Sequence, residues 1–189
     1  MRRRGLLLIL SSPSGAGKST LTQTLVREDP SIRLSVSVTT RPKRHSEIDG
    51  VHYRFIEKAD FEEMCARDDL LEFAEVHGNH YGTAKRVILD AMAKGEDMIL
   101  EIDWQGAEQV RRLYPDCVGI FILPPSVEEL ERRMRSRGQD SEAVIRQRVA
   151  NAKEELAHAE EFKYAIINKD FETARRELAS IIERERAKS

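Results

Sequence analysis

The chain has 189 residues, enough for one full domain with inserted pieces and a sizeable core. Its 31 Lys and Arg against 33 Asp and Glu leave a net charge of −2, which argues against a general polyanion binder such as a nucleic-acid protein. Cys65 and Cys117 are far apart, match no metal-ligand spacing and sit in apolar surroundings, so reduced thiols and a cytoplasmic location are expected.

The opening MRRRGLLLIL imitates a secretory signal. Its apolar run, Leu6 to Leu10, is shorter than the roughly 7–15 residues such a segment needs, and no small-residue cleavage site follows. A strand buried on both faces of a parallel sheet also reads as an unbroken apolar run, so Leu6–Leu10 is expected to be the first strand. No other stretch approaches bilayer-spanning length, and no membrane partner is expected.

SSPSGAGKST follows directly and opens onto a helical pattern marked by Leu21, Leu25 and Val26. Strand, Gly-rich turn, then helix is the setting of a phosphate-binding loop. Gly15 and Gly17 can turn successive N–H groups inward as an anion nest, and the helix N-terminus adds partial positive charge. Lys18 would reach the terminal phosphates, and the Ser19 hydroxyl would ligate Mg²⁺. Ser12 stands where the strict pattern has glycine, a departure that matters little at ordinary negative φ. Ser12, Pro13, Ser14, Gly15, Ala16, Gly17, Lys18, Ser19 and Thr20 are thus expected to cradle a nucleoside triphosphate.

Further apolar runs come at Leu34–Val38, Met98–Ile102, Val118–Leu123 and Ala165–Ile167. Helical spacing lies between most of them, as at Val87, Ile88, Ala91 and Met92 before Gly95, and at Leu178, Ile181 and Ile182 near the end. Alternating strands and helices imply an α/β fold with a parallel sheet. Residues 39–83 are too long for one crossover. They contain strand-like Tyr53–Ile56 and Leu70–Val76 around a helix near Asp60–Arg67, which predicts an inserted subdomain. Residues 126–158 are charged, helical and broken at Gly138, as a surface helical hairpin would be.

TTRPKRHSE places Arg41, Lys43 and Arg44 together, which alone fits either a phosphate site or a solvated turn. In context the chain closely resembles the guanylate kinase family. The resemblance rests on SVSVTTRPKRHSEIDGVHYRF, LLEFAEVHGNHYGT and EIDWQG together with the phosphate loop, and it runs on to the Asn168 region. It implies a nucleoside monophosphate kinase fold with a five-stranded parallel core (1–36, 84–125 and 159–189), a GMP-binding α+β subdomain (37–83) and a helical lid (126–158). The implied reaction is phosphoryl transfer from ATP to GMP with Mg²⁺.

Carried over by position, the resemblance assigns Arg41, Arg44, Tyr53 and Tyr81 to the GMP phosphate. Arginine forks and phenol hydroxyls suit phosphate oxygens, while Lys43 falls outside the motif and reads as solvated. Ser37, Glu72, Thr83 and Glu101 fall to the guanine base, with Thr83 donating to its carbonyl. Glu101 stands where the family usually has aspartate. Asp103 is expected near Mg²⁺, acting through water. Arg133, Arg137 and Arg148 match the lid arginines that stabilise the moving phosphoryl group, whereas Arg132 and Arg135 read as solvated. Asn168 resembles a nucleotide-contacting asparagine, and Lys169 replaces the acidic residue that usually follows.

His52, His77 and His80 lie in polar, turn-rich segments without a ligand cluster and are assigned no chemistry. Two rivals stand beside this reading: a kinase of the same fold acting on a sugar phosphate, and a phosphopeptide-binding module. The module form loses the phosphate loop, so Lys18, Ser19 and the lid arginines count against it.

Overall fold

The computed structural model describes residues 3–76 and 78–189. Strand β1 (Leu7–Ser11) is buried along its whole length, because it has a neighbour on each side and helices over both faces. After it come helix α1 (Lys18–Glu28), β2 (Ile32–Leu34), β3 (Val38–Thr39), β4 (Arg54–Phe55), α2 (Lys58–Ala66), β5 (Leu70–Val76) and β6 (Asn79–Ala84). The remainder is α3 (Lys85–Ala93), β7 (Asp97–Glu101), α4 (Trp104–Leu113), β8 (Val118–Leu123), α5 (Val127–Arg137), α6 (Glu142–Ala157), β9 (Tyr164–Ile167) and α7 (Phe171–Arg186).

Five strands form the main sheet in the order β2-β7-β1-β8-β9, every pair parallel. Apolar side chains of α1 and α7, among them Leu21, Leu25, Leu178 and Ile182, pack with Leu8 and Leu10 on one face. Ile88 and Met92 of α3 and Val110 of α4 pack with Leu7 and Ile9 on the other. Leu10 lies level with Glu101, so β1 and β7 end together. Parallel strands that end together deliver their following loops to one edge, where such folds hold ligands.

A second sheet, in the order β4-β3-β6-β5, carries α2 through buried Phe61, Val38 and Leu70. Its edge strand β5 is tied to α4: Gln109 Nε2 donates to Phe73 O at 2.8 Å, and Phe73 N donates back to Gln109 Oε1 at 3.0 Å. Helices α5 and α6 close on their own small core of Leu130, Met134, Ile145 and Ala152. Ser126 and Ser141 cap their N-termini, accepting from Glu129 N and Val144 N. Where α6 rejoins the body, His158 stacks flat on Trp104, the first residue of α4, with centroids 3.6 Å apart.

One expectation needs correcting. The run Leu34–Val38 is not a single strand, because β2 stops at Leu34 and β3, starting at Val38, belongs to the other sheet. Serines at 35 and 37 interrupt the apolar run, and Ser35 N makes the last bond to the core, to Ile99 O at 2.9 Å.

Candidate active site

A cleft of 620 Å³ opens along the ends of β1 and β7 and extends beneath α5 and α6 to β5 and β6. At one end lies the turn between β1 and α1. Gly15 and Gly17 both take left-handed angles (φ 85° and 86°), and no side chain caps the helix at Gly17. The N–H groups at the start of α1 therefore face the cleft, ready for an anion. Asn168, just past β9, braces the turn from behind: its Nδ2 donates to Ala16 O at 2.8 Å. A Cβ at position 17 would stand 2.4 Å from that nitrogen, so glycine is required there by space as well as by angle.

Lys18 and Ser19 line the cleft with Ser12, Pro13, Ser14 and Thr20, while Ala16 is buried behind them. Burial lowers the Lys18 pKa, opposed by the nearby charges of Glu101, Glu155 and Asp103. Asp103 uses Oδ1 to accept Gly106 N at 2.9 Å and so caps α4. Glu101 meets the hydroxyl of Thr22 on α1. Its extra methylene relative to aspartate thus has a partner within the fold.

The other end of the cleft holds Glu72, 5% exposed and surrounded by β6 and α4. Burial pushes its carboxyl up to about 7, with the Thr83 bond opposing and the Asp103 charge adding. Thr83, 1% exposed, donates its hydroxyl to Glu72 Oε1 at 2.7 Å. That hydrogen is engaged with Glu72, so the expected donation from Thr83 to a ligand carbonyl would require the hydroxyl to turn away from the carboxylate. Ser37, Tyr53 and Tyr81 line the cleft nearby.

Arg41 and Arg44 stand off the cleft wall. Arg41 forms a two-pronged pair with Glu47 at 2.8 and 2.7 Å and lies 5.4 Å over the Tyr53 ring. The Arg41 fork holds the Glu47 carboxyl down to about 2. Arg44 donates its backbone N–H to the same carboxylate at 2.8 Å, and its side chain is exposed. Lys43 is exposed, with Nζ at 3.2 Å from Glu47 O.

Of the three hairpin arginines only Arg137 lines the cleft. Arg133 pairs with Glu129 at 3.1 Å, and Arg148 bonds Asp140 at 2.5 Å and Ser14 Oγ of the phosphate turn at 3.1 Å. Arg132 and Arg135 pair with exposed or half-exposed glutamates along the hairpin.

The sequence reading missed Glu155. This α6 side chain lines the cleft, and its Oε2 is buried without a hydrogen-bond partner. Burial raises it to about 7, against the pull of Lys18. Nothing in the sequence separates it from exposed Glu154 beside it; only the direction of the helix does.

His52 Nδ1 accepts Ile48 N at 2.9 Å, His80 lies 3.7 Å from Glu75, and His77 is outside the described residues. Among the described residues, no three His, Cys, Asp or Glu side chains are grouped to hold a metal ion, and no helix is long and apolar enough to cross a membrane. Both cysteines are free.

Comparison with known proteins adds to this geometry. The guanylate kinase family model matches residues 4–185. The guanylate kinase of Agrobacterium fabrum is 52% identical over 187 residues, covering 98% of this chain and 85% of its own. That of Chromobacterium violaceum is 52% identical over 185 residues, with 98% and 88% covered. The crystal structure of guanylate kinase from Anaplasma phagocytophilum is similar with a TM-score of 0.81 at 36% identity, over 98% of this chain and 88% of that one.

Proposed function

The chain belongs to the guanylate kinase family and transfers a phosphoryl group from ATP to GMP, and we propose that its cleft divides this work between a donor end and an acceptor end. The triphosphate lies on the N–H groups of the turn before α1, with Lys18 neutralising charge at the terminal phosphates. Mg²⁺ fits here: it prefers one or two protein oxygens plus substrate phosphates over an all-protein cage, and Ser19 and Asp103 supply oxygens on the wall. When bound, the ion neutralises charge on the phosphate oxygens.

GMP places its base against Glu72, whose carboxylate accepts the ring N–H and the exocyclic amine, while Thr83 fixes the carboxylate's angle. Tyr53 and Tyr81 face the acceptor phosphate, joined by Arg41 once the phosphate competes with Glu47, and by Arg44. Ser37 and Glu101 complete the acceptor wall. No general base is needed, because the attacking phosphate oxygen of GMP is already anionic. Arg137 supplies charge to the moving group, aided by Arg133 and Arg148 as the hairpin closes and excludes water.

In this reading residues 1–36, 84–125 and 159–189 form the core, 37–83 the acceptor unit and 126–158 the lid. The free thiols suit a reducing, cytoplasmic setting.

The observation that carries the acceptor assignment is a buried carboxylate, held by a threonine, in the same cleft as the phosphate turn. Adenine presents a ring acceptor where guanine presents a donor, so AMP would meet Glu72 lone pair to lone pair. Sites built around such hydrogen bonds can reject a mismatch by about 10⁴–10⁵. Glu72→Gln keeps the shape but offers one acceptor and one amide NH₂ donor group. Its kcat/KM should fall steeply for GMP and hold or rise for AMP. Unchanged discrimination would remove Glu72 from base recognition.

A further inference from the structure

Gly106, in the first turn of α4, lies between the two ends of the cleft. On one side its N–H donates to Asp103 Oδ1 at 2.9 Å. On the other, a Cβ added to it would stand 2.6 Å from Glu72 Oε2 and 3.2 Å from Glu72 Cδ. The carboxylate has little room to retreat, because its other oxygen is held by Thr83 at 2.7 Å. The backbone at 106 is ordinary helix, not left-handed, so no angle there demands glycine. Glycine inside a helix also lowers helix stability relative to alanine. What glycine provides at 106 is the space occupied by the Glu72 carboxylate. One turn later, Gln109 bonds both backbone groups of Phe73, fixing β5 against α4 directly beside Glu72.

We propose that α4 sets how far the Glu72 carboxylate projects into the cleft, and that Gly106 is thereby a specificity-determining, positioning residue for the guanine base. The proposal rests on Glu72 as the acceptor of the base. A methyl group at 106 would push the carboxylate out of line with two adjacent donors, and one of these, the exocyclic amine, is the group whose presence distinguishes GMP from IMP.

The test is a double-mutant cycle of Gly106→Ala and Glu72→Ala, assayed with GMP and with IMP at saturating ATP, and with ATP varied at saturating GMP. Gly106→Ala alone should lower kcat/KM for GMP by about 10–100-fold, the scale of a lost hydrogen bond to a charged group. The loss should fall mainly on KM, the GMP-to-IMP ratio should shrink, and the KM for ATP should hold. With Glu72 already alanine, the second substitution should cost no further activity and should raise Tm, since alanine then favours the helix without a clash. Additive losses in the double variant, an unchanged GMP-to-IMP ratio in the single one, or a raised KM for ATP would overturn the proposal. A parent enzyme equally efficient with GMP and IMP would instead overturn the reading of Glu72 beneath it.

Discussion

Glu72 can accept two guanine donors only while it is ionised, and burial has raised its carboxyl to about 7. The sign follows directly. Below that pH the neutral acid presents an O–H to a base that also presents N–H groups. With ATP saturating, kcat/KM for GMP should therefore fall about tenfold per unit as pH drops below 7, and Glu72→Gln should flatten that limb. Glu155, also raised to about 7, faces Lys18, so its titration should appear in kcat/KM for ATP instead. A parent profile for GMP that is flat between about pH 5.5 and 8 would contradict the Glu72 assignment. The phosphate turn was legible at this scale because its glycines, lysine and hydroxyl follow one another along the chain. Thr83 as a brace, Glu47 as the partner of Arg41, and Glu155 were not. Each depends on an orientation or a contact that no local pattern records.

At the level of elements, the hairpin of α5 and α6 shows how pairing divides similar arginines. Arg133 and Arg148 are held by Glu129 and Asp140, while Arg137 lines the cleft with no protein partner among the described residues. Arg137→Ala should lower kcat by about 10²–10³ with little change in GMP affinity, as for a contact made to developing charge. Arg44→Ala should chiefly raise the GMP KM. Equal, modest KM changes in both would remove Arg137 from the chemical step. The buried strands were readable as apolar runs and the amphipathic helices from their spacing, but β6 and α4 were not. Asn79–Ala84 is polar for a strand, and α4 is a short helix that buries Gly106, Ala107 and Val110 and carries in its first turn a glycine, a residue that argues against helix.

The whole molecule is tied together at one buried carboxylate. Asp97, fully buried at the start of β7, accepts Leu6 N and Arg186 Nε, each at 2.7 Å, and forms an ion pair with Arg3 at 2.9 Å. The segment before β1 and the end of α7 thus meet at the edge opposite the catalytic cleft. Asp97→Ala should destabilise the fold by about 3 kcal/mol, the lower end for removing one partner of a buried pair, since both arginines keep some solvent. Urea unfolding would show a lower midpoint at unchanged slope, with KM values preserved. A midpoint within error of the parent would show that the arginines are satisfied elsewhere. This closure joins residues 89 apart in the chain and could not be read from sequence spacing.

Trp104 is the only tryptophan in the protein, and its indole lies flat on the His158 imidazole where α6 rejoins the body. All indole emission therefore originates at that joint. A stacked imidazole drains the excited state of an indole, and any swing of the hairpin that parts the rings should brighten the signal. If the hairpin acts as the proposed lid, this stack would be a built-in optical gauge of its opening, readable in a stopped-flow cuvette without a dye.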